Sequence, residues 1–174
     1  GELWSGNFDE DLDHIFNIGN ELVDGVVRAL GVQTSSEERR AIAKPPTEVV
    51  GAYDFYLRGR RYFAQYHGRG MEFALEMFSR AIELDRKYAL AWAGIADCCA
   101  FLYANSGRDP EHLSRALEAS GRALELDPEL PEAHVARGVA LSQGGRPDEA
   151  GQLYETALRL NPNLFEAHYF YARH

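Results

Sequence analysis

The feature that most constrains this chain is a six-residue phrase that occurs three times, as Ala81–Arg86, Ala123–Pro128 and Ala157–Pro162. Its pattern is alanine, an aliphatic residue, a charged residue, leucine, aspartate or asparagine, then proline or arginine. The phrases start 42 and then 34 residues apart. A period of this size is typical of repeat proteins, in which each unit buries its apolar face only against its neighbours. Each phrase is predicted to end a helix, since proline cannot continue one.

The residues between the phrases share a second register. If Pro131 is position 1, Gly138 falls at position 8, Ala150 at 20, Ala157 at 27 and Pro162 at 32. This pattern resembles the tetratricopeptide repeat (TPR), a pair of antiparallel helices with small residues where the helices cross closely. The resemblance implies an all-α fold.

The same register fits twice more, from Ala52 with three extra residues between its helices and from Ala89 with eight. The expected architecture is an α–α superhelix, a TPR solenoid, with no strand in the repeats. It comprises three helical hairpins and a partial fourth, at residues 52–88, 89–130, 131–164 and 165–174. Four residues depart from the pattern: Arg58 and Arg137 at position 7, Ser120 at 24 and Arg86 at 32.

The segment before the repeats predicts one further helix. Large apolar residues recur at three- and four-residue steps between Leu12 and Leu30, acids precede them, and Gly31 is a suitable C-cap. We expect an amphipathic helix over residues 10–30 that packs on the first repeat or on a neighbouring chain. Residues 32–51, which include Pro45 and Pro46, are interpreted as a linker.

Nearly the whole chain resembles one kind of bacterial multidomain signalling protein. The similarity is carried by residues 3–32, by PPTEVVGAYDFYLRGRRYF and by YALAWAGIADCCAFLY. In such proteins a TolB-like domain and TPR repeats follow an adenylate or guanylate cyclase domain, a winged-helix DNA-binding domain or a protein kinase. The resemblance implies that residues 1–31 are the last strand and helix of a TolB-like domain. No cyclase, kinase or winged-helix motif occurs in these residues, so this segment is expected to be non-catalytic.

The partial fourth hairpin predicts an incomplete apolar surface. Phe165, Tyr169 and Tyr171 belong to a helix without its partner, and terminal repeats need a polar capping helix. We expect the parent chain to continue past His174, or this end to be covered by another molecule. Self-association through this helix or the N-terminal helix is a further possibility.

Charge and composition exclude several partners. The net charge is −9, and residues 1–31 contain seven acidic residues and one arginine. Nucleic-acid binding needs a basic footprint, so it is not expected. No apolar run is long enough to span a membrane, and no signal peptide is visible. Cys98 and Cys99 are interpreted as small buried residues in a reducing, cytoplasmic compartment, with a vicinal disulfide or a reactive thiol as the alternative.

The sequence contains no pattern of a metal, cofactor or catalytic site. His134 and His168 both occupy position 4, where packing residues stand, and no third ligand has useful spacing. The glycine-rich turns at residues 68–70 and 144–146 lack the spacing of a phosphate loop. Both histidines are therefore expected to be structural.

The TPR resemblance places a partner-binding groove on the first helix of each repeat, at positions 2, 5, 9, 12 and 13. These positions hold Tyr53, Tyr56, Arg60, Phe63, Leu90, Ala93, Asp97, Phe101, Glu132, Val135, Val139, Ser142 and Gln143. The alternative is that some of the aromatic residues pack against the N-terminal helix. Chaperone-binding members carry lysine and asparagine where this chain has Tyr56 and Arg60, so binding of acidic chaperone tails is not expected.

Two classes of function remain open at this stage. One is a protein–protein interaction scaffold that binds an extended or helical peptide with apolar anchors and one acid near Arg60. The other is a regulatory segment that docks on a catalytic or DNA-binding domain of the same protein, or on a second copy of itself.

Overall fold

The protein is described by a computed structural model that covers residues 46–174 together with Gly25, Val26 and Ala29. These three residues are helical, and the remainder of the predicted helix 10–30, its packing and most of the predicted linker lie outside the described residues. The chain divides into two units between Val50 and Gly51. The account below concerns the second unit.

Seven α-helices and no strand make up residues 46–174. They are α1 (Val50–Phe63), α2 (Gly68–Leu84), α3 (Ala89–Asn105), α4 (Pro110–Leu126), α5 (Pro131–Gln143), α6 (Pro147–Leu160) and α7 (Phe165–Arg173). The prediction of three helical hairpins followed by a single helix is therefore confirmed. The first helix begins at Val50, two residues before the expected start of the first repeat.

The repeated phrase ends α2, α4 and α6 in the same way each time. The residue after each helix is Asp85, Asp127 or Asn161, and its Oδ1 accepts a hydrogen bond from the backbone N–H two residues later, at 2.9, 3.1 and 3.0 Å. Short polar side chains of this kind satisfy the backbone where a helix stops. The aspartate or asparagine therefore builds the turn into the next helix, a role that proline alone does not explain.

The side chain at position 4 of each following helix also contacts a backbone carbonyl of this turn. Trp92 Nε1 donates to the Arg86 carbonyl at 3.1 Å. His134 Nε2 lies 2.8 Å from the Pro128 carbonyl oxygen, and His168 Nε2 makes the equivalent contact with Pro162 at 2.8 Å. The structural interpretation of both histidines is confirmed, because each side chain holds a connection between repeats.

The two helices of a hairpin meet where an aromatic ring fills the space left by a glycine. A Cβ placed on Gly138 would lie 2.6 Å from Cε1 of Tyr154, which is 2% exposed. Phe78 is fully buried between two such positions, since a Cβ would approach its ring to 2.6 Å from Gly59 and 2.7 Å from Gly94. These contacts set how closely the helices approach each other.

The second hairpin departs from this arrangement and compensates for it. Ser120 replaces the aromatic residue at position 24, is fully buried and donates to the Leu117 carbonyl at 3.2 Å. The guanidinium of Arg137, from the next repeat, donates to the same carbonyl. Burial lowers the pKa of Arg137 from its ordinary value. Two departures from the repeat pattern thus meet at one backbone oxygen.

The odd-numbered helices form an inner layer. Helix α3 packs on α5, and α5 packs on α7, while α4 and α6 pack outside them. Alanines fill most contacts between the layers, as in α5, whose buried residues are Ala133, Val135, Ala136, Gly138, Val139, Ala140 and Leu141. The inner layer presents its remaining side chains to a shared concave surface.

Substituting Gly138 by alanine tests the close contact with Tyr154. The added methyl group would force the buried ring to move, and overpacking of this kind costs about 1–3 kcal/mol. It outweighs the gain of up to about 1 kcal/mol that alanine brings to a helix. We therefore expect Gly138→Ala to lower the free energy of unfolding, measured by urea denaturation followed by circular dichroism.

Gly121→Ala is the matched control, because its nearest contact would be Arg137 Nη1 at 3.6 Å, an ordinary packing distance. It should leave the protein unchanged or more stable. Equal effects of the two substitutions would contradict the proposed role of the contact.

Candidate functional site

The concave surface of the inner layer encloses a cavity of about 390 Å³. Its walls come from α1, α3, α5 and α7, from the turn after α1 and from the residue before α7. They are formed by Arg60, Phe63, Tyr66, Asp97, Ala100, Phe101, Ala104, Asn105, Glu132, Val135, Val139, Gln143, Leu164, Glu166, Tyr169, Phe170 and Arg173. The outer helices contribute none of these residues.

Most residues of the predicted groove meet in this cavity. The repeat register brings together Arg60, Phe63, Asp97, Phe101, Glu132, Val135, Val139 and Gln143. Val135 and Val139 are 3% and 8% exposed and form an apolar wall.

Five residues from the predicted set lie outside the cavity. Tyr56 packs its ring 5.6 Å from Phe78 and 5.1 Å from Tyr88, and Tyr53 and Leu90 pack around Tyr88 as well. Ala93 is buried in the core, and Ser142 is half-buried beside the cavity. Burial, in the first place, raises the pKa of Tyr56 to about 12, as expected of a packing residue.

The partial fourth repeat contributes residues that the sequence reasoning did not include. Glu166 stands at position 2 of that repeat, so extending the register by one unit would have found it. Tyr169, Phe170 and Arg173 follow on the same helix and line the cavity. Their participation depends on how far the array curves, which no local pattern encodes.

Tyr66 enters the cavity from the turn between α1 and α2. Its φ of 51° is a left-handed backbone conformation that is unusual for a bulky residue. The ring packs edge-on against Phe101 with centroids 5.8 Å apart and lies 5.5 Å from the Phe63 ring. The turn is held by His67, whose Nδ1 accepts a hydrogen bond from Gly70 N at 3.0 Å.

Arg60 and Glu166 connect the first and last helices across the cavity. Their side chains approach to 3.9 Å although the residues are 106 positions apart in the chain. Both side chains are about 44% exposed, so the pair contributes on the order of 0–1 kcal/mol to stability. Because Glu166 lies beside Arg60, it partly offsets the positive charge of Arg60. An acidic group of a ligand is therefore attracted to Arg60 less strongly than the sequence suggested.

Two other carboxylates in the cavity have no ion-pair partner within the described part of the chain. Burial raises the pKa of Asp97 to about 7, with smaller contributions from Glu166 and Glu132, and Arg60 opposes this rise. The pKa of Glu132 is raised mainly by burial, and the negative charge of Glu166 adds to the effect. Three carboxyl groups and two guanidinium groups therefore line the cavity, an excess of one acidic group.

Among the described residues, no group of three histidine, cysteine or acidic residues is arranged to hold a metal ion. Cys98 and Cys99 are unpaired and fully buried, and burial raises the pKa of Cys99 to about 11. This confirms their interpretation as packing residues. No helix in residues 46–174 combines the length and apolar character needed to cross a membrane.

Comparisons with known proteins agree with a solenoid of helical hairpins. Residues 108–165 match the tetratricopeptide repeat family. The first TPR domain of Spaghetti (RPAP3), bound to the HSP90 peptide SRMEEVD, superposes with a TM-score of 0.55 at 22% identity, over 71% of this chain and 89% of that domain. The second TPR domain of human RPAP3, in complex with the HSP70 peptide SGPTIEEVD, gives 0.51 at 25% identity, over 71% and 97%. The helical array therefore has the all-α solenoid fold of tetratricopeptide-repeat domains, and the family match itself covers residues 108–165.

A relative by sequence is a putative adenylate cyclase 3 of Rhizobium meliloti (strain 1021). The two are 31% identical over 153 residues, which is 86% of this chain and 26% of the relative. The chain therefore spans about a quarter of the length of that protein, and the alignment extends beyond the repeats matched by the family.

The unpaired Asp97 predicts a pH-dependent stability. Because its folded pKa is raised above the ordinary 3.8 to about 7, the folded protein holds a proton that the unfolded chain has released, and stability falls as pH rises through this window. Asp97→Asn removes the loss of stability that accompanies ionisation of this carboxyl group. We expect its stability advantage over the parent chain to widen by about 1–3 kcal/mol between pH 5 and pH 8, measured by urea denaturation.

The control is Glu118→Gln, which removes one negative charge from an exposed position of α4 outside the cavity. An advantage of Asp97→Asn that is the same at both pH values would show that the carboxyl group is not held protonated by its surroundings.

Proposed function

We propose that residues 50–174 are a non-catalytic interaction module that binds a peptide segment of a protein partner in the inner cavity. The observation that carries this proposal is the convergence of four helices on one pocket of about 390 Å³, within the size range of specific ligand sites. Aromatic residues and arginine, which dominate binding energy at interfaces, are concentrated there.

The likeness to peptide-bound TPR domains supports the proposal at the level of the fold. The ligands of those domains, SRMEEVD and SGPTIEEVD, end in two glutamates, valine and aspartate. In this chain such a tail would meet Asp97, Glu132 and Glu166. Like charges at close range oppose binding, so the partner differs from these acidic tails.

A second candidate is a regulatory segment that docks on a catalytic domain of its own protein. The observation favouring it is the alignment of most of this chain with about a quarter of a putative adenylate cyclase. On this proposal the module belongs to a cytoplasmic bacterial signalling protein. Titration of the chain with the separately expressed cyclase region of the parent protein tests it, and absence of binding at 100 µM, about −5.5 kcal/mol, would count against intramolecular docking.

Phe101→Ala tests whether the cavity is the binding surface. Selection from a library of random 12-residue peptides displayed on phage, with the chain immobilised, supplies binders. Phe101 lines the cavity and its ring packs against Tyr66. Its truncation should therefore lower the affinity for the selected peptides at least tenfold, about 1.4 kcal/mol, as measured by fluorescence anisotropy.

Glu118→Gln on the exposed face of α4 is the matched control and should leave affinity unchanged. Circular dichroism of each variant checks that the helical content is intact. Peptides that bind Phe101→Ala as tightly as the parent chain but lose affinity for Glu118→Gln would place the binding surface on the outer helices instead.

A further inference from the structure

The cavity's charged residues fall into two groups, those that already have a partner and those that do not. Arg60 faces Glu166 at 3.9 Å and lies 6.0 Å from the centroid of the Phe63 ring. Arg173 lies 5.3 Å from the centroid of the Tyr169 ring and donates a hydrogen bond to its hydroxyl at 3.1 Å. Each arginine thus lies against an aromatic ring, whereas Asp97 and Glu132 have no ion-pair partner among the described residues, so the lining holds three carboxylates against two guanidinium groups.

A second observation, independent of the carboxylates, concerns an unpaired hydrogen-bond acceptor. The Oε1 atom of Gln143 is buried, belongs to a residue that lines the cavity, and has no hydrogen-bond partner within the described part of the chain. The half-buried Asp97 makes no hydrogen bond there either. Buried acceptors are normally satisfied, because leaving one unpaired costs free energy. Asp97 and Gln143 thus bring to the cavity wall acceptors that the described residues leave unpaired.

The aromatic residues of the cavity suit the same type of ligand. The rings of Tyr66 and Phe101 line the cavity beside the carboxylates, whereas those of Phe63 and Tyr169 already contact Arg60 and Arg173. The face of an aromatic ring attracts a cation, most strongly where water is excluded. Val135 and Val139 form the wall on which the aliphatic stem of a long side chain would pack.

We propose that this cavity is a cation pocket, which receives a lysine or arginine side chain of the bound peptide. This proposal rests on the proposed interaction function and names its ligand chemistry. The ammonium or guanidinium group donates hydrogen bonds to the carboxylate of Asp97, and the negative charge of Glu132 adds to the attraction. Apolar residues flanking the basic residue contact the aromatic rings.

The environment of Asp97 gives the pocket a pH dependence. Arg60 and Tyr56 face this carboxyl group from α1, Tyr66 from the following turn, Glu132 from α5 and Glu166 from α7. A cationic ligand favours the ionised form of Asp97, so its binding releases a proton. Affinity for a basic peptide should therefore rise as pH increases through about 7.

The experiment compares peptides selected from a random 12-residue phage library by the parent chain and by Asp97→Asn at pH 7.5. Peptides selected by the parent chain should share a lysine or arginine beside apolar residues, and those selected by Asp97→Asn should not. One selected peptide is then synthesised with its basic residue intact and with norleucine in its place. Calorimetry should show at least a tenfold preference of the parent chain for the basic form, reduced to less than threefold in Asp97→Asn.

The pH dependence supplies a further measurement, since the preference for the basic peptide should increase between pH 6 and pH 8 in the parent chain alone. Glu118→Gln controls for loss of net charge and should keep the full preference.

Two outcomes would overturn the proposal in different ways. Selected peptides that lose affinity for Phe101→Ala but contain no shared basic residue, or an acidic one, would leave the interaction function in place and exclude the cation pocket. Absence of any enriched peptide on either chain would contradict both the pocket and the peptide-binding function.

Discussion

The array depends on the contact between an aromatic ring on an outer helix and glycine on the inner helices. Phe78 is held between Gly59 and Gly94, and it has no room for a Cβ on either side. Tyr154 occupies the equivalent place against Gly138. Since close packing leaves no slack for larger residues, these contacts fix the distance between the two layers. The curvature of the inner layer, and therefore the cavity, follows from that distance.

This arrangement separates the stability of the fold from the chemistry of the concave surface. The core is formed largely by alanines and by a few aromatic rings between the layers. The opposite face of each inner helix is consequently released from packing and can carry polar residues. Asp97 and Cys98 illustrate this on one helix, because Cys98 is fully buried in the core whereas its neighbour Asp97 lines the cavity.

How far the sequence predicts this protein depends on whether a feature is local or arises from the assembled array. The helix ends could be predicted because aspartate or asparagine at the end of each phrase has a local role. The small residues at positions 8, 20 and 27 gave the register, and the register located Arg60, Asp97 and Glu132 on one surface. Tyr66 could not be predicted, because its orientation depends on an unusual backbone angle. The approach of Glu166 to Arg60 could not be predicted either, since it results from the summed curvature of all the intervening helices.

Under the proposed function, folding and binding require different residues at the position of Asp97. An asparagine there would preserve the shape of the side chain without the cost of enclosing a charge. Tyr56, on the same inner layer, differs from Asp97 in that its aromatic ring packs against Phe78 and contributes to the core. A residue that costs stability and that its neighbours do not pair is typical of functional surfaces, where local rules of folding are broken. In the proposed cation pocket, a ligand that brings positive charge into the cavity converts that cost into binding energy, so the excess of carboxyl groups contributes to selectivity alongside the shape of the groove.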